Sequence, residues 1–163
     1  MTFKIAFILM VICCALAGCQ QRPPRSEPLA SGAPINTQFK WPAIEQNLTA
    51  LRQTAGKFQI LSMTIRPASL EALVTNEQGV NGYVINEGRV QSTTTIKSDE
   101  AKKSRVEEEK VNFVEILGTI TQKQGDGEQL AYVEILPNGA TGYFYSARKQ
   151  SVIKTDLAGN FQK

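Results

Sequence analysis

Residues 39–163 carry a pattern that occurs twice, and this repetition limits the folds open to the chain more than any other feature. Residues of the first copy match residues of like character in the second at offsets of about 71. The matches pair Trp41 with Phe113, Ile44 with Ile116, Leu48 with Ile120, Gly56 with Gly127, Ile65 with Ile135, Pro67 with Pro137, Gly88 with Gly159 and Gln91 with Gln162. Because they keep their order, we expect repeats at residues 39–91 and 111–163, joined by a linker at residues 92–110. Chance alignment is the alternative, since identities are few.

The first copy predicts a helix followed by antiparallel strands. Pro42 suits the first helical turn, and Gly56 suits the residue that ends the helix. Between them, one helical face carries apolar side chains at Ile44, Leu48, Leu51 and Ala55. Strand-like segments follow, separated by turn residues, at residues 58–66, 70–75, 83–86 and 90–96.

The second copy has the same order. Phe113, Leu117 and Ile120 recur at helical spacing, although residues 111–120 also fit a strand. Strand patterns follow at residues 130–136, 141–147 and 151–155, the first two flanking the hairpin signal Pro137-Asn138-Gly139. A helix on an antiparallel sheet buries one face of each. We therefore predict an α+β fold, with two tandem repeats of a helix followed by an antiparallel sheet of three to four strands, forming one compact domain.

This order of a helix and then a short antiparallel sheet loosely resembles small periplasmic modules such as PepSY-type domains. The resemblance spans residues 39–163 and lies in the pattern, without a diagnostic motif. It implies a part that binds rather than catalyses, as do the repeated inhibitor and assembly lipoproteins of bacterial envelopes.

The first eighteen residues have the features of a secretion signal. Lys4 precedes an uncharged, mainly apolar run at residues 5–17, too short to span a bilayer, which takes about 20 residues. An ordinary secretory signal or a short membrane anchor would account for the run alone. Its end, Leu16-Ala17-Gly18-Cys19, resembles the lipobox of bacterial lipoproteins.

That resemblance implies recognition of Leu16, Ala17 and Gly18 by a signal peptidase, cleavage before Cys19 and attachment of lipid, including acyl chains such as palmitate, to Cys19. Several acyl chains on one residue give stable membrane anchoring. Gln20 stands where an aspartate commonly retains lipoproteins at the inner membrane, so we expect the outer membrane, with the domain facing the periplasm.

Residues 19–38 combine the lipidated cysteine with a tether. Pro23, Pro24, Pro28 and Pro34 are spread through a segment rich in Ser, Gly, Arg and Gln. Proline-rich segments favour an extended chain of about 3.1 Å per residue, so about twenty residues reach on the order of 60 Å. We expect the domain to stand away from its membrane.

Composition removes several classes of function. The chain has no histidine, and its three cysteines, Cys13, Cys14 and Cys19, all precede residue 20, which leaves no imidazole or thiolate for the common zinc and nucleophilic sites. The formal charge of +3 is too small to indicate a nucleic-acid partner. We expect no enzyme activity, no metal and no cofactor.

Two groups of residues are candidate sites. Glu107-Glu108-Glu109 could suggest a cation, but interleaved Lys and Arg favour a solvated helix face. Tyr143 and Tyr145 should share one face of a strand, with Phe144 on the other and Tyr132 on the neighbouring strand. With Arg148 just beyond, the tyrosines form a possible binding face; the alternative is that they cover the sheet or lie under a helix.

The sequence therefore predicts a membrane-anchored envelope lipoprotein that acts by binding another envelope protein, in an assembly, scaffold or modulator role. The alternative is a lipoprotein that binds peptidoglycan or a small ligand. A solvent-open tyrosine cleft would favour the ligand, whereas a flat apolar patch or an exposed sheet edge would favour a protein.

Overall fold

The computed structural model describes residues 39–96 and 104–163. The expected signal peptide at residues 1–18, the lipobox residues Leu16, Ala17 and Gly18, Cys19 itself and the tether to residue 38 lie outside the described residues. The elements in chain order are α1 (Trp41–Ala55), β1 (Gln59–Ile65), β2 (Ser69–Asn76), β3 (Gly79–Asn86), β4 (Arg89–Ile96), β5 (Val106–Glu107), a 3-10 turn (Glu108–Lys110), α2 (Phe113–Gln122), β6 (Gln129–Leu136), β7 (Gly139–Tyr145), β8 (Gln150–Thr155) and β9 (Phe161–Gln162).

The strands form one antiparallel sheet, which confirms the α+β class. Their order is β4-β3-β2-β1-β6-β7-β8-β9, and the short β5 pairs with β1 beside β6. The two halves of the sheet meet where β1 pairs with β6, from Met63 opposite Ile135 to Ile65 opposite Val133. Each half thus consists of a helix and four strands in chain order.

Helix α1 forms where the sequence predicts it. Pro42 lies in the first turn, and the chain leaves the helix at Gly56, whose φ of 67° favours glycine. The apolar face is buried as expected, at Ile44, Leu48, Leu51 and Ala55.

The alternative strand interpretation of residues 111–120 is wrong, because Phe113–Gln122 form helix α2. The side chain of Asn112 accepts a hydrogen bond from the backbone N–H of Glu115, which caps the helix. The buried positions follow helical spacing, at Phe113, Ile116, Leu117 and Ile120. An N-terminal cap and this 3–4 spacing together favour a helix over a strand.

The first hairpin of each half has the same register. Ile65 lies opposite Leu70 in the first half, and Ile135 lies opposite Ala140 in the second. Each ladder also has a register shift at the same place, between Ile60 and Ser62 in β1 and between Leu130 and Tyr132 in β6.

The predicted linker at residues 92–110 is partly strand. Residues 92–96 belong to β4, and Val106–Glu107 form β5 against β1. The remaining charged residues at 97–103 lie outside the described part of the chain.

The hydrophobic core lies between the two helices and one face of the sheet. Side chains that are almost fully buried there include Phe144, Ile44, Leu48, Leu51, Ile60, Met63, Ile65, Leu70, Ile85, Ile116, Ile120 and Ile135. The buried side chain of Asn47 ties α1 to the sheet. It donates to the carbonyl of Ala68 (3.1 Å) and accepts from the N–H of Gly88 (2.7 Å).

Candidate binding face

In residues 39–96 and 104–163, both helices pack on the same side of the sheet. Alternate residues of the strands point to the opposite side, which we call the open face. On β7, Phe144 points into the core and is 1% exposed, whereas Tyr145 on the open face is 37% exposed. The predicted separation of Phe144 from its neighbouring tyrosines is confirmed.

Tyr132 and Tyr143 are stacked on the open face. They lie opposite each other in the β6–β7 ladder, their ring centroids are 4.4 Å apart, and the planes differ by 21°. The guanidinium of Arg66, which directly follows β1, lies 5.3 Å from the centroid of the Tyr132 ring. Val152 of β8 lies opposite Tyr143. A row of side chains therefore runs from Arg66, at the end of β1, across strands β6, β7 and β8.

Neighbouring carboxylates hold this arrangement. The hydroxyl of Tyr143 donates to Glu134 Oε2 at 3.0 Å, and Arg66 Nε lies 3.4 Å from Glu71 Oε1. The hydrogen bond to Glu134, followed by burial, raises the pKa of Tyr143. The pKa of Tyr132 is also raised, mainly because its hydroxyl is partly removed from water. Both phenols thus stay neutral through the physiological range and present ring faces and hydroxyls rather than charge.

The remaining side chains give the face exposed apolar area. Val152 is 52% exposed and Tyr145 is 37% exposed. We call the set of Tyr132, Tyr143, Tyr145 and Val152 the tyrosine strip. These side chains share one face of the sheet, and none of them lines the two clefts at the C-terminal end of α1.

The structure brings together the three predicted tyrosines but not Arg148. Arg148 lies in the β7–β8 turn, where its backbone N–H points to Ser146 Oγ at 3.4 Å, and no described contact joins its side chain to the tyrosines. The cation beside them is Arg66, which sequence reasoning missed. Finding it requires the pairing of β1 with β6, and no local pattern predicts that pairing.

Two shallow clefts, of about 250 and 240 Å³, lie at the C-terminal end of α1. Both are lined by Lys57, Phe58 and Glu107. Two of the acidic residues nearby are paired with cations: Arg52 Nη2 lies 2.6 Å from Glu108 Oε1, and Lys110 Nζ lies 3.1 Å from Glu107 Oε2. The acidic run Glu107-Glu108-Glu109 lies in β5 and the 3-10 turn. The prediction that it forms one face of a solvated helix is therefore wrong.

One carboxylate is nearly buried away from these surfaces. Glu128, 6% exposed, accepts from Ser151 Oγ (2.8 Å), Gly125 N–H (3.0 Å) and Lys149 Nζ (3.2 Å). The hydrogen bond from Ser151, followed by those from Gly125 and Lys149, lowers the pKa of Glu128. Its oxygens are engaged in fastening the α2–β6 loop to β8, so we assign it a structural role.

Within residues 39–96 and 104–163, no cluster of three potential metal-ligating side chains occurs, and no helix is long and apolar enough to cross a membrane. Comparison of the chain with protein-family models, with curated proteins and with solved structures gives no match.

Proposed function

We propose that this chain is a bacterial envelope lipoprotein, anchored through lipid on Cys19, whose domain binds a partner protein through its open face. The sequence Leu16-Ala17-Gly18-Cys19 after an apolar run supports the anchor. Gln20 supports the outer membrane as the site of anchoring. The role is one of binding rather than catalysis, in assembly, as a scaffold or as a modulator.

The observation that carries the proposal is the tyrosine strip. Tyr145 and Val152 are exposed, and Tyr132 and Tyr143 are half-buried beside them. Aromatic and aliphatic side chains grouped on one accessible surface are typical of protein interfaces, in which tyrosine is enriched. The strip stands on the sheet, and its side chains line neither of the two clefts at the end of α1, which favours a broad protein surface over a small ligand.

The strip is also well ordered for binding. Tyr143 is fixed by Glu134, and Tyr132 is held between the Tyr143 ring and Arg66. Side chains fixed before association lose less conformational entropy when a partner binds. Truncation of such residues therefore affects affinity more than truncation of mobile surface residues does.

We also infer that the two halves are tandem repeats of a helix and four strands. The shared hairpin register and the matching register shifts relate residues 70 apart, such as Ile65 and Ile135. The buried faces of the helices align at an offset of 69, which pairs Ile44 with Phe113 and Leu51 with Ile120, rather than at the offset of 72 used in the sequence alignment. These common features of pairing and burial support a duplication.

A pair of matched variants tests the proposed interface. Val152, on the open face, is 52% exposed, and Val114, on α2 in the other layer, is 55% exposed. The full chain is expressed in a bacterial envelope and crosslinked, and its partners are recovered and identified by mass spectrometry. We expect Val152→Lys to remove a specific partner, whereas Val114→Lys retains it.

Two further measurements test the lipid anchor and distinguish a protein partner from a peptidoglycan ligand. Cys19→Ala should abolish membrane association and reduce recovery of the partner. If Val152→Lys leaves the recovered proteins unchanged, the open face is not the protein-binding surface. Binding of the chain to isolated peptidoglycan, lost in Val152→Lys, would replace the protein partner with a glycan ligand.

A further inference from the structure

The edge strand β4 differs from the other long strands of the sheet in having little covering. Seven of its eight residues are exposed, and Ile96 is partly exposed. In the described residues it pairs with β3 on one side only. Thr93 and Thr95 lie opposite Tyr83 and Asn81 of β3, which are both buried, yet both threonines are exposed. Helix α1 approaches part of β4 but leaves these two positions uncovered.

This edge lacks most of the features that usually prevent strand pairing. Edge strands are commonly short or carry Lys or Pro. At the opposite edge, β9 has only two residues. In contrast, β4 has no Lys and no Pro, and its one charge is Arg89 at its beginning. A register shift leaves Gln91 as an extra residue, and the five residues after it, 92–96, form a regular ladder with β3.

We propose that β4 is a self-association edge, at which residues 92–96 pair antiparallel with the same residues of a second copy of this chain. The resulting dimer has a two-fold axis through the paired strands and a sheet continuous across both copies. This site is separate from the tyrosine strip, and it does not depend on the identity of any partner bound there.

The chemistry of the strand favours a second copy. Residues 90–96 are uncharged, so antiparallel self-pairing brings no like charges together. In this pairing the three threonines 93–95 face one another, which is a favourable cross-strand combination, and Ser92 lies opposite Ile96. Pairing of β4 with β9 of another copy would give an open chain of subunits, but β9 offers only two residues. The closed two-fold arrangement is therefore the one that uses all five residues of the regular segment 92–96.

The expected dimer is weak in dilute solution. A single strand pair buries less than the roughly 1,000 Å² that a stable interface needs. Attachment of both copies to one membrane would raise their effective concentration and favour pairing. A covalent trap is therefore a better assay than a measurement of molecular mass at low concentration.

The trap uses the natural absence of thiols from the domain. All three cysteines precede residue 20, so the full parent chain, expressed in a bacterial envelope, serves as the blank. Single cysteines are introduced at each position from Ser92→Cys to Ile96→Cys and oxidised under mild conditions. Lys154→Cys, exposed on the interior strand β8, is the matched control for random collision.

If two copies pair through β4 about a two-fold axis, the yield of disulfide-linked dimer should be highest at a single cysteine position within residues 92–96. A residue on the axis faces its own copy with Cβ atoms about 4.5–5.5 Å apart, close to disulfide geometry. A residue two positions from the axis is displaced from its copy by about 14 Å along the strand. We expect the best position to give at least ten times more dimer than Lys154→Cys, with a sharp fall to either side.

Charges at the same edge supply a second measurement. With the cysteine at its best position, lysines at two other positions within residues 92–96 should reduce trapping at least tenfold, while circular dichroism confirms that the exposed substitutions leave the fold intact. Equal trapping along β4 and at Lys154→Cys would overturn the proposal. So would disulfides that join the edge to a different protein, because the occupant would then not be a second copy. Val152→Lys should leave trapping unchanged, which separates this edge from the tyrosine strip.

Discussion

Gly142, in the middle of β7, gives the sharpest test of how the second helix packs on the sheet. Its backbone runs directly beneath α2, and a Cβ atom placed there would lie 2.4 Å from Ile120 Cγ2 and 3.3 Å from the Phe144 ring. Both side chains are almost fully buried, so neither can swing into solvent. Gly142→Ala therefore requires Ile120, and with it part of α2, to move by about 1 Å.

Overpacking of this kind destabilises a core by about 1–3 kcal/mol. Replacement of glycine also restricts the unfolded chain, which stabilises the fold by about 0.4–1 kcal/mol. We expect the free energy of unfolding of Gly142→Ala to fall by a net amount of up to about 2.6 kcal/mol in urea denaturation followed by circular dichroism.

Gly82 on β3 is the matched control. A Cβ atom there would meet only the carbonyl oxygen of Thr94, at an ordinary 3.8 Å. Gly82→Ala should therefore stabilise the protein by about 0.4–1 kcal/mol, opposite in sign to Gly142→Ala.

The double variant Gly142→Ala/Ile120→Leu tests the contact itself. Leucine has no branch at Cβ, so it removes the atom that the new methyl group meets. The double variant should be more stable than the sum of the two single changes predicts, by about 1 kcal/mol. If Gly142→Ala stabilises the fold as much as Gly82→Ala does, the close approach of α2 to β7 is not a tight contact and the reasoning fails.

Asn47→Ala leaves two backbone groups without their buried partner, and we expect a loss of about 2–4 kcal/mol in urea denaturation; a loss below about 1 kcal/mol would contradict the assigned bonding. The pKa of Glu128 is lower in the folded chain than its ordinary value of 4.5, so its contribution to stability is complete above that value and is lost as the pH falls from it through the folded pKa. Thermal unfolding as a function of pH should show this loss, and Glu128→Gln should reduce the slope on the acid side. Glu134→Gln should lower the pKa of Tyr143 towards its ordinary value of 10.0, seen as earlier phenolate absorbance in an ultraviolet titration; an unchanged curve would argue against the bond between these two side chains.

Local patterns predicted both helices and the seven longer strands, because each of these elements carries its own period, but they did not predict the two-residue strands β5 and β9. The helical spacing from Phe113 to Ile120 and the alternation around Phe144 both survive in the fold. Boundaries were less accurate: the strand expected to reach residue 147 ends at Tyr145. There the chain turns, and Ser146 Oγ meets the backbone of the turn rather than a neighbouring strand.

The candidate site was predictable only where it depends on local pairing. Tyr132 and Tyr143 lie in one hairpin whose short turn fixes the register, so their contact follows from the sequence. Arg66 reaches them through the pairing of β1 with β6, strands that are far apart in the chain. Arg66 is the last residue of the strand predicted at residues 58–66, and nothing near it in the sequence marks it as a neighbour of the tyrosines. Arg148 is near the tyrosines in sequence, but its described bond is to Ser146 in the β7–β8 turn.

The junction between β1 and β6 has a mechanical consequence. The backbone ladder there is short, from Met63 and Ile135 to Ile65 and Val133, compared with the full-length ladder between β2 and β3. The chain before α1 enters the first half, whereas the tyrosine strip belongs to the second. If the domain is tethered at its N-terminal end and bound by a partner at the tyrosine strip, any tension between membrane and partner passes through the short β1–β6 ladder, which we call the seam, and through the core packed against it. The seam is then where the domain would yield first under force, releasing its two halves before either half unravels.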